Sequence, residues 1–151
     1  MLPGWCAPLI GRPYRLGGRG PESWDCWGLV LEVLRTRFAV AVPDYGADTP
    51  DDNTAFPAMA RLALAGAGDG WHRLLSRPHL RAPLSWPASG PERPGDVVLM
   101  RQGLYPCHVG IVVAADWMIH AQEGIGTAAE RLRHGAERNN ILSLYRHPEL
   151  I

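Results

Sequence analysis

A cysteine that opens an apolar helix, followed 82 residues later by a histidine that opens an apolar strand, constrains this chain more than any other feature. Trp24-Asp25-Cys26-Trp27-Gly28-Leu29-Val30 begins the first element, and His108-Val109-Gly110-Ile111 begins the second, with His120 beyond it. Asp25 is a good helix cap, and Leu29, Val30, Val33 and Leu34 recur at helical spacing to about Phe38. From Gly95 onward the pattern is strands: residues 96–100, 108–114 and 117–121, with 141–145 expected to close the sheet. A helix first and sequential strands after it predict an α+β fold, a cysteine-bearing helix packed on an antiparallel β-sheet.

The remaining segments say less. Residues 3–24, rich in Gly, Pro and Arg, read as a loop. A short strand is expected at 39–42, a helix from Asp52 or Asn53 through Met59, Leu62 and Leu64 to Gly66, and a turn of helix at 71–75. The prolines between Pro83 and Pro94 predict an irregular connection. No linker divides the 151 residues, so residues 1–151 form one domain with 43–93 as a variable insertion inside it.

Composition excludes several classes. Net charge is zero, and the 15 basic residues, all Arg, form no run, which argues against nucleic acid as a partner. No stretch approaches the roughly 20 apolar residues of a membrane span. Met1-Leu2-Pro3-Gly4-Trp5-Cys6 has no basic segment before an apolar run, so the chain is expected to be made in the cytoplasm without a signal peptide. Three widely spaced cysteines, Cys6, Cys26 and Cys107, predict neither a disulfide framework nor a zinc site, and no metal or cofactor is expected. Gly17-Gly18-Arg19-Gly20 reads as a flexible loop near the site, and Gly66-Ala67-Gly68-Asp69-Gly70 lacks the Lys-Ser/Thr of a phosphate loop.

A thiol is a strong nucleophile only as thiolate, with an ordinary pKa of about 8.5. On the first helical turn, Cys26 faces unpaired N–H groups and the positive dipole end, and those amides also suit a developing oxyanion. His108 is the candidate base, and His120 the group that fixes its tautomer. Cys107, next to His108, is expected to turn away from the site by strand alternation.

Gly11-Arg12-Pro13-Tyr14-Arg15-Leu16-Gly17-Gly18, Asp25-Cys26-Trp27-Gly28-Leu29-Val30, Pro94-Gly95-Asp96-Val97-Val98-Leu99-Met100, His108-Val109-Gly110-Ile111 and Met118-Ile119-His120-Ala121 together resemble the NlpC-type bacterial cell-wall cysteine peptidases. The resemblance implies a papain-like fold and hydrolysis of peptidoglycan stem peptides, commonly between D-glutamate and a diamino acid. It implies Cys26 as nucleophile, His108 as base, His120 as the third polar member and Tyr14 as a residue lining the site. Asp25 matches an acidic position that holds the stem peptide's amino end. Trp27 stands where the family often has Ser, which implies a reshaped pocket for that end.

The short form, with Trp27 after the cysteine and a long middle insertion, resembles tail-associated members from phages and gene transfer agents. That implies tail or baseplate hub proteins as partners, and a virion component acting in the recipient's wall or periplasm. Two alternatives stay open: an amidase cutting muramoyl-alanine links on the same fold, and a structural tail-tip or hub protein with a vestigial site. In the second, Trp71 and Trp86 are expected on a docking surface.

Overall fold

A computed structural model describes residues 1–44, 70–79, 81–103 and 105–151. One α-helix, α1 (Cys26–Phe38), packs on a six-stranded antiparallel sheet. The strands are β1 (His72–Ser76), β2 (Val97–Gln102), β3 (Tyr105–Ala114), β4 (Trp117–Gln122), β5 (Gly126–Arg131) and β6 (Ile141–Arg146), in the spatial order β1-β6-β2-β3-β4-β5.

Helix α1 buries Leu29, Val30, Val33 and Leu34 and exposes Arg35, Thr36 and Arg37, the division their spacing predicts. Each buried aliphatic side chain contributes about 2 kcal/mol of transfer free energy. The helix stops where Ala39 turns left-handed, at φ 54°, and sends its N–H to Leu34 O. Its apolar face meets Val97, Leu99, Val109, Ile111, Val113 and Ile119 from the near side of the sheet. A smaller core on the far side holds Val98, Met100, Val112, Met118, Leu132, Ile141 and Leu144, with Leu84 and Trp86 of the proline-rich connection laid over it.

Several expectations fail here. Residues 39–42 make no strand: the Val40 N–H turns back to Leu34 O at 3.0 Å. Residues 71–75 hold no helical turn, because His72–Ser76 pairs with β6 as an edge strand. β6 does not close the sheet but lies between β1 and β2. The closing edge is β5, a Gly-Thr-Ala-Ala-Glu-Arg strand of poor intrinsic β-propensity that pairs with β4 over its whole length. Trp71 is 1% exposed and belongs to the core, so it presents no docking surface, whereas Trp86 is half-buried. The helix expected between residues 52 and 66 lies outside the described residues.

A buried ion pair locks the sheet at the start of β2. Arg146 Nε donates to Asp96 Oδ1 at 2.7 Å and Arg146 Nη2 to Asp96 Oδ2 at 2.7 Å, while the Arg93 N–H adds a third bond at 2.7 Å. Asp96 is fully buried. Burial raises its pKa, and Arg146 with the Arg93 N–H opposes the rise. No helix among the described residues is long and apolar enough to cross a membrane.

Candidate active site

The entry to α1 is built around the Asp25 carboxylate. Oδ1 accepts the Gly28 N–H at 2.7 Å, capping the helix, and also Arg19 Nη1 at 2.8 Å. Oδ2 accepts the Gly17 N–H at 3.0 Å. Arg19 reaches on to Asp44, with Nε 2.6 Å from Oδ2. Residues 17–19 therefore lie flat on the first helical turn. Gly28 makes that possible, since a Cβ there would stand 2.1 Å from Gly18 O.

Cys26 follows the cap directly and is 3% exposed. Its thiol is pushed up to about 12, first by burial; N–H groups of Val109 and Trp27 pull it down, and the Asp25 carboxylate and Cys107 push it up. The Val109 amide immediately follows His108 in β3, so the thiol meets the sheet at the strand that carries the candidate base. Pairing between β3 and β4 runs from Ile111↔Ile119 to Ala114↔Trp117, whereas β2 pairs with β3 down to Tyr105. The amide of Val109 thus lies beyond the β3–β4 ladder and points to sulfur instead. The dipole end and amides expected to activate the thiol are present, but burial outweighs them in the closed site.

His108 and His120 meet directly, with His108 Nε2 2.8 Å from His120 Nδ1. Both rings are buried. Burial, then the neighbouring His120, pushes His108 down to about 3. Burial also lowers His120, against the pull of the Glu130 and Glu137 carboxylates. The resting pair is therefore neutral, and among the described residues His108 Nδ1 makes no hydrogen bond.

Tyr14 is half-buried at the rim of the core, bridged to Trp24. Its hydroxyl is held protonated by burial and by its closeness to Cys26, Asp25, Glu123 and Cys107. Asp25 has both oxygens engaged by Gly17, Gly28 and Arg19 and is fully buried, so the geometry accounts for it as a cap. Trp27 is 0% exposed in the core under α1, and its influence on the site passes through packing. Cys107 departs from expectation: it shares the phase of Val109 and Ile111 along β3, and its thiol lies within electrostatic reach of Cys26 and Tyr14. Glu130 escaped sequence reasoning, and Arg19 was read only as part of a loop near the site. Only the tertiary fold brings Arg19 to Asp25 and Asp44 together, or Glu130 to His120.

A cysteine at the head of a helix, set against an antiparallel sheet that carries two contacting histidines, defines the papain-like class. The family model "NlpC/P60 family" matches residues 11–146, and the chain belongs to that family. Solved structures agree in fold. The NlpC/p60 domain of peptidoglycan hydrolase SagA superposes with a TM-score of 0.52 at 18% identity, covering 92% of this chain and 90% of that one. NlpC2 from Trichomonas vaginalis gives 0.57 at 18% identity, covering 95% of this chain and 44% of that one. In sequence, the chain is 28% identical over 114 residues to the tail tip assembly protein K of Escherichia phage N15. That match takes in 75% of this chain but 39% of the phage protein.

Proposed function

We propose that this protein is a cysteine endopeptidase that hydrolyses peptidoglycan stem peptides at the bond between D-glutamate and the diamino acid. The observation that carries the reading is the buried Cys26 thiol at the N-terminus of α1, on the helix packed against the sheet in which His108 contacts His120 at 2.8 Å. Family membership and the hydrolase among its structural neighbours support the substrate class.

The chemistry follows from these groups. Sγ attacks the scissile carbonyl carbon while His108 Nδ1 takes the thiol proton. Burial disfavours both the thiolate and the imidazolium alone, so the two charges form together, each offsetting the other. The Cys26 N–H, at the positive end of the helix, receives the oxyanion. Collapse breaks the C–N bond, and the His108 proton leaves on the amine. Water, deprotonated by His108, then cleaves the thioester, releasing the carboxylate and restoring the thiol. Tyr14 lines the site beside the sulfur.

The resemblance to a tail tip assembly protein supports a place in a phage-type or gene transfer agent tail, where the enzyme opens the wall during delivery and hub proteins are its partners. Purified protein and its Cys26→Ala variant, incubated with defined muropeptides and read by mass spectrometry, test the reading. Cleavage lost in the variant supports the thiol mechanism and identifies the bond. Release of free muramic acid termini instead would move the reading to an amidase, and silence from folded wild-type protein to a structural tail role.

A further inference from the structure

The outer nitrogen of His120 stands in an unusual position. Nε2 is fully buried and makes no hydrogen bond among the described residues, yet Glu130 Oε1 stands 3.6 Å away, within ion-pair range. Glu130 does not swing freely. Its other oxygen accepts the Glu137 N–H at 3.3 Å, and the Glu137 carboxylate accepts Asn140 Nδ2 at 2.9 Å. On β5, Glu130 is two residues from Ala128, the direct cross-strand partner of His120, so it projects on the same face as that ring.

These positions dictate where protons sit. An ionised carboxylate only accepts, and a neutral imidazole has one donor and one acceptor nitrogen. With Glu130 facing Nε2, the hydrogen of His120 belongs on Nε2, which leaves Nδ1 a lone pair. His108 Nε2, 2.8 Å from that lone pair, must then carry hydrogen and donate it. His108 Nδ1 is left unprotonated. The reverse order would set a buried lone pair of His120 against a carboxylate oxygen and would occupy His108 Nδ1 with a proton. It fails on both counts.

We infer that Glu130 is a positioning residue: acting through His120, it orients the protons of the histidine pair so that His108 presents a free base nitrogen. Its catalytic consequence rests on the thiol-hydrolase reading, whereas its geometric content does not. The charged and titratable groups around His120 are His108 from β3, Glu130 from β5 and Glu137 from the turn after β5. Both carboxylates favour a positive ring, so they also stabilise the pair once it gains the thiol proton.

Two-bond 15N–1H spectra of histidine-labelled wild-type protein near neutral pH test this without substrate. The expected pattern has hydrogen on Nε2 of both His120 and His108, with both Nδ1 atoms unprotonated. In Glu130→Leu, and in Glu130→Gln, whose amide donates as well as accepts, that single pattern gives way to a tautomer mixture. The Gln variant keeps the side-chain shape if Leu disturbs folding. On muropeptides, kcat falls roughly 10-fold or more with KM unchanged, and the acid limb of kcat/KM moves to lower pH because an anion favouring the imidazolium is gone. Hydrogen on His120 Nδ1 in the wild type, or one unchanged pattern in both variants, overturns the inference. The expected spectra from protein that cleaves nothing would support the proton order and sink only the peptidase reading.

Discussion

Two buried polar clusters stand on the same sheet, and they are built in opposite ways. Asp96 and Arg146 form a bidentate pair at 2.7 Å, with the Arg93 N–H and Pro91 O taking up further capacity. The cluster of His108, His120 and Glu130 is instead left open: among the described residues one imidazole nitrogen faces no hydrogen-bond partner, another only a distant carboxylate. Satisfying every polar atom makes a lock, because each group loses by moving. Leaving some unsatisfied keeps proton-transfer capacity in the cluster, as the proposed chemistry requires.

If that contrast is sound, activity and stability should separate under mutation. The largest expected effect is on chemistry. Cys26→Ala should lower muropeptide turnover by roughly 10⁴-fold or more, while its unfolding free energy in urea changes by no more than about 1 kcal/mol. A large loss of stability in this variant would erase the division between the two clusters.

Breaking the other cluster should do the reverse. Arg146→Met leaves the Asp96 carboxylate buried without its guanidinium, at a cost of about 3–5 kcal/mol in denaturant unfolding. Turnover per folded molecule should persist. A matched drop in kcat with unchanged stability would show that Asp96 and Arg146 belong to the chemistry instead.

Acid titration sharpens the comparison. His108 has its pKa depressed from 6.5 to about 3, so the unfolded chain binds more protons between those values. Its contribution to stability is fully present above pH 6.5 and is lost as pH falls toward 3. His108→Asn should therefore flatten the fall of Tm across that window. An unaltered slope would mean that other groups carry it.

The smallest effect concerns the loop that lies over the cap. A Cβ at residue 28 meets Gly18 O at 2.1 Å, so Gly28→Ala should cost about 1–3 kcal/mol and raise KM by shifting the loop near Tyr14. Unchanged KM alongside that loss would separate the loop from substrate binding.

What could be seen in the sequence followed distance along the chain. Asp25 is three residues from the amide it caps, and the apolar stripe of α1 repeats within one helix, so that helix was legible to the residue. The strands holding His108 and His120 were legible because each is a continuous apolar run. β1 was not: Trp71, Leu74 and Leu75 fall at helical spacing, and only pairing with β6 makes the segment a strand. Arg146 lies 50 residues from Asp96, and the Pro-Gly-Asp motif gives no hint of its partner. Glu130, in a strand without motif or strong propensity, acquires meaning only beside His120.

The position of β6 carries a consequence for how the molecule opens. β2 to β5 follow one another as a meander, each hydrogen-bonded to its chain neighbour, but among the described residues β1 is hydrogen-bonded into the sheet only through β6. Whenever β6 peels from β2, β1 loses its seat on the sheet. Slow-exchanging amides of β1 can therefore be no better protected than the β6–β2 ladder, and the meander with its histidines is free to outlast both. Breathing of this protein should begin at the strand that is distant in sequence from its partner and proceed inward toward the thiol.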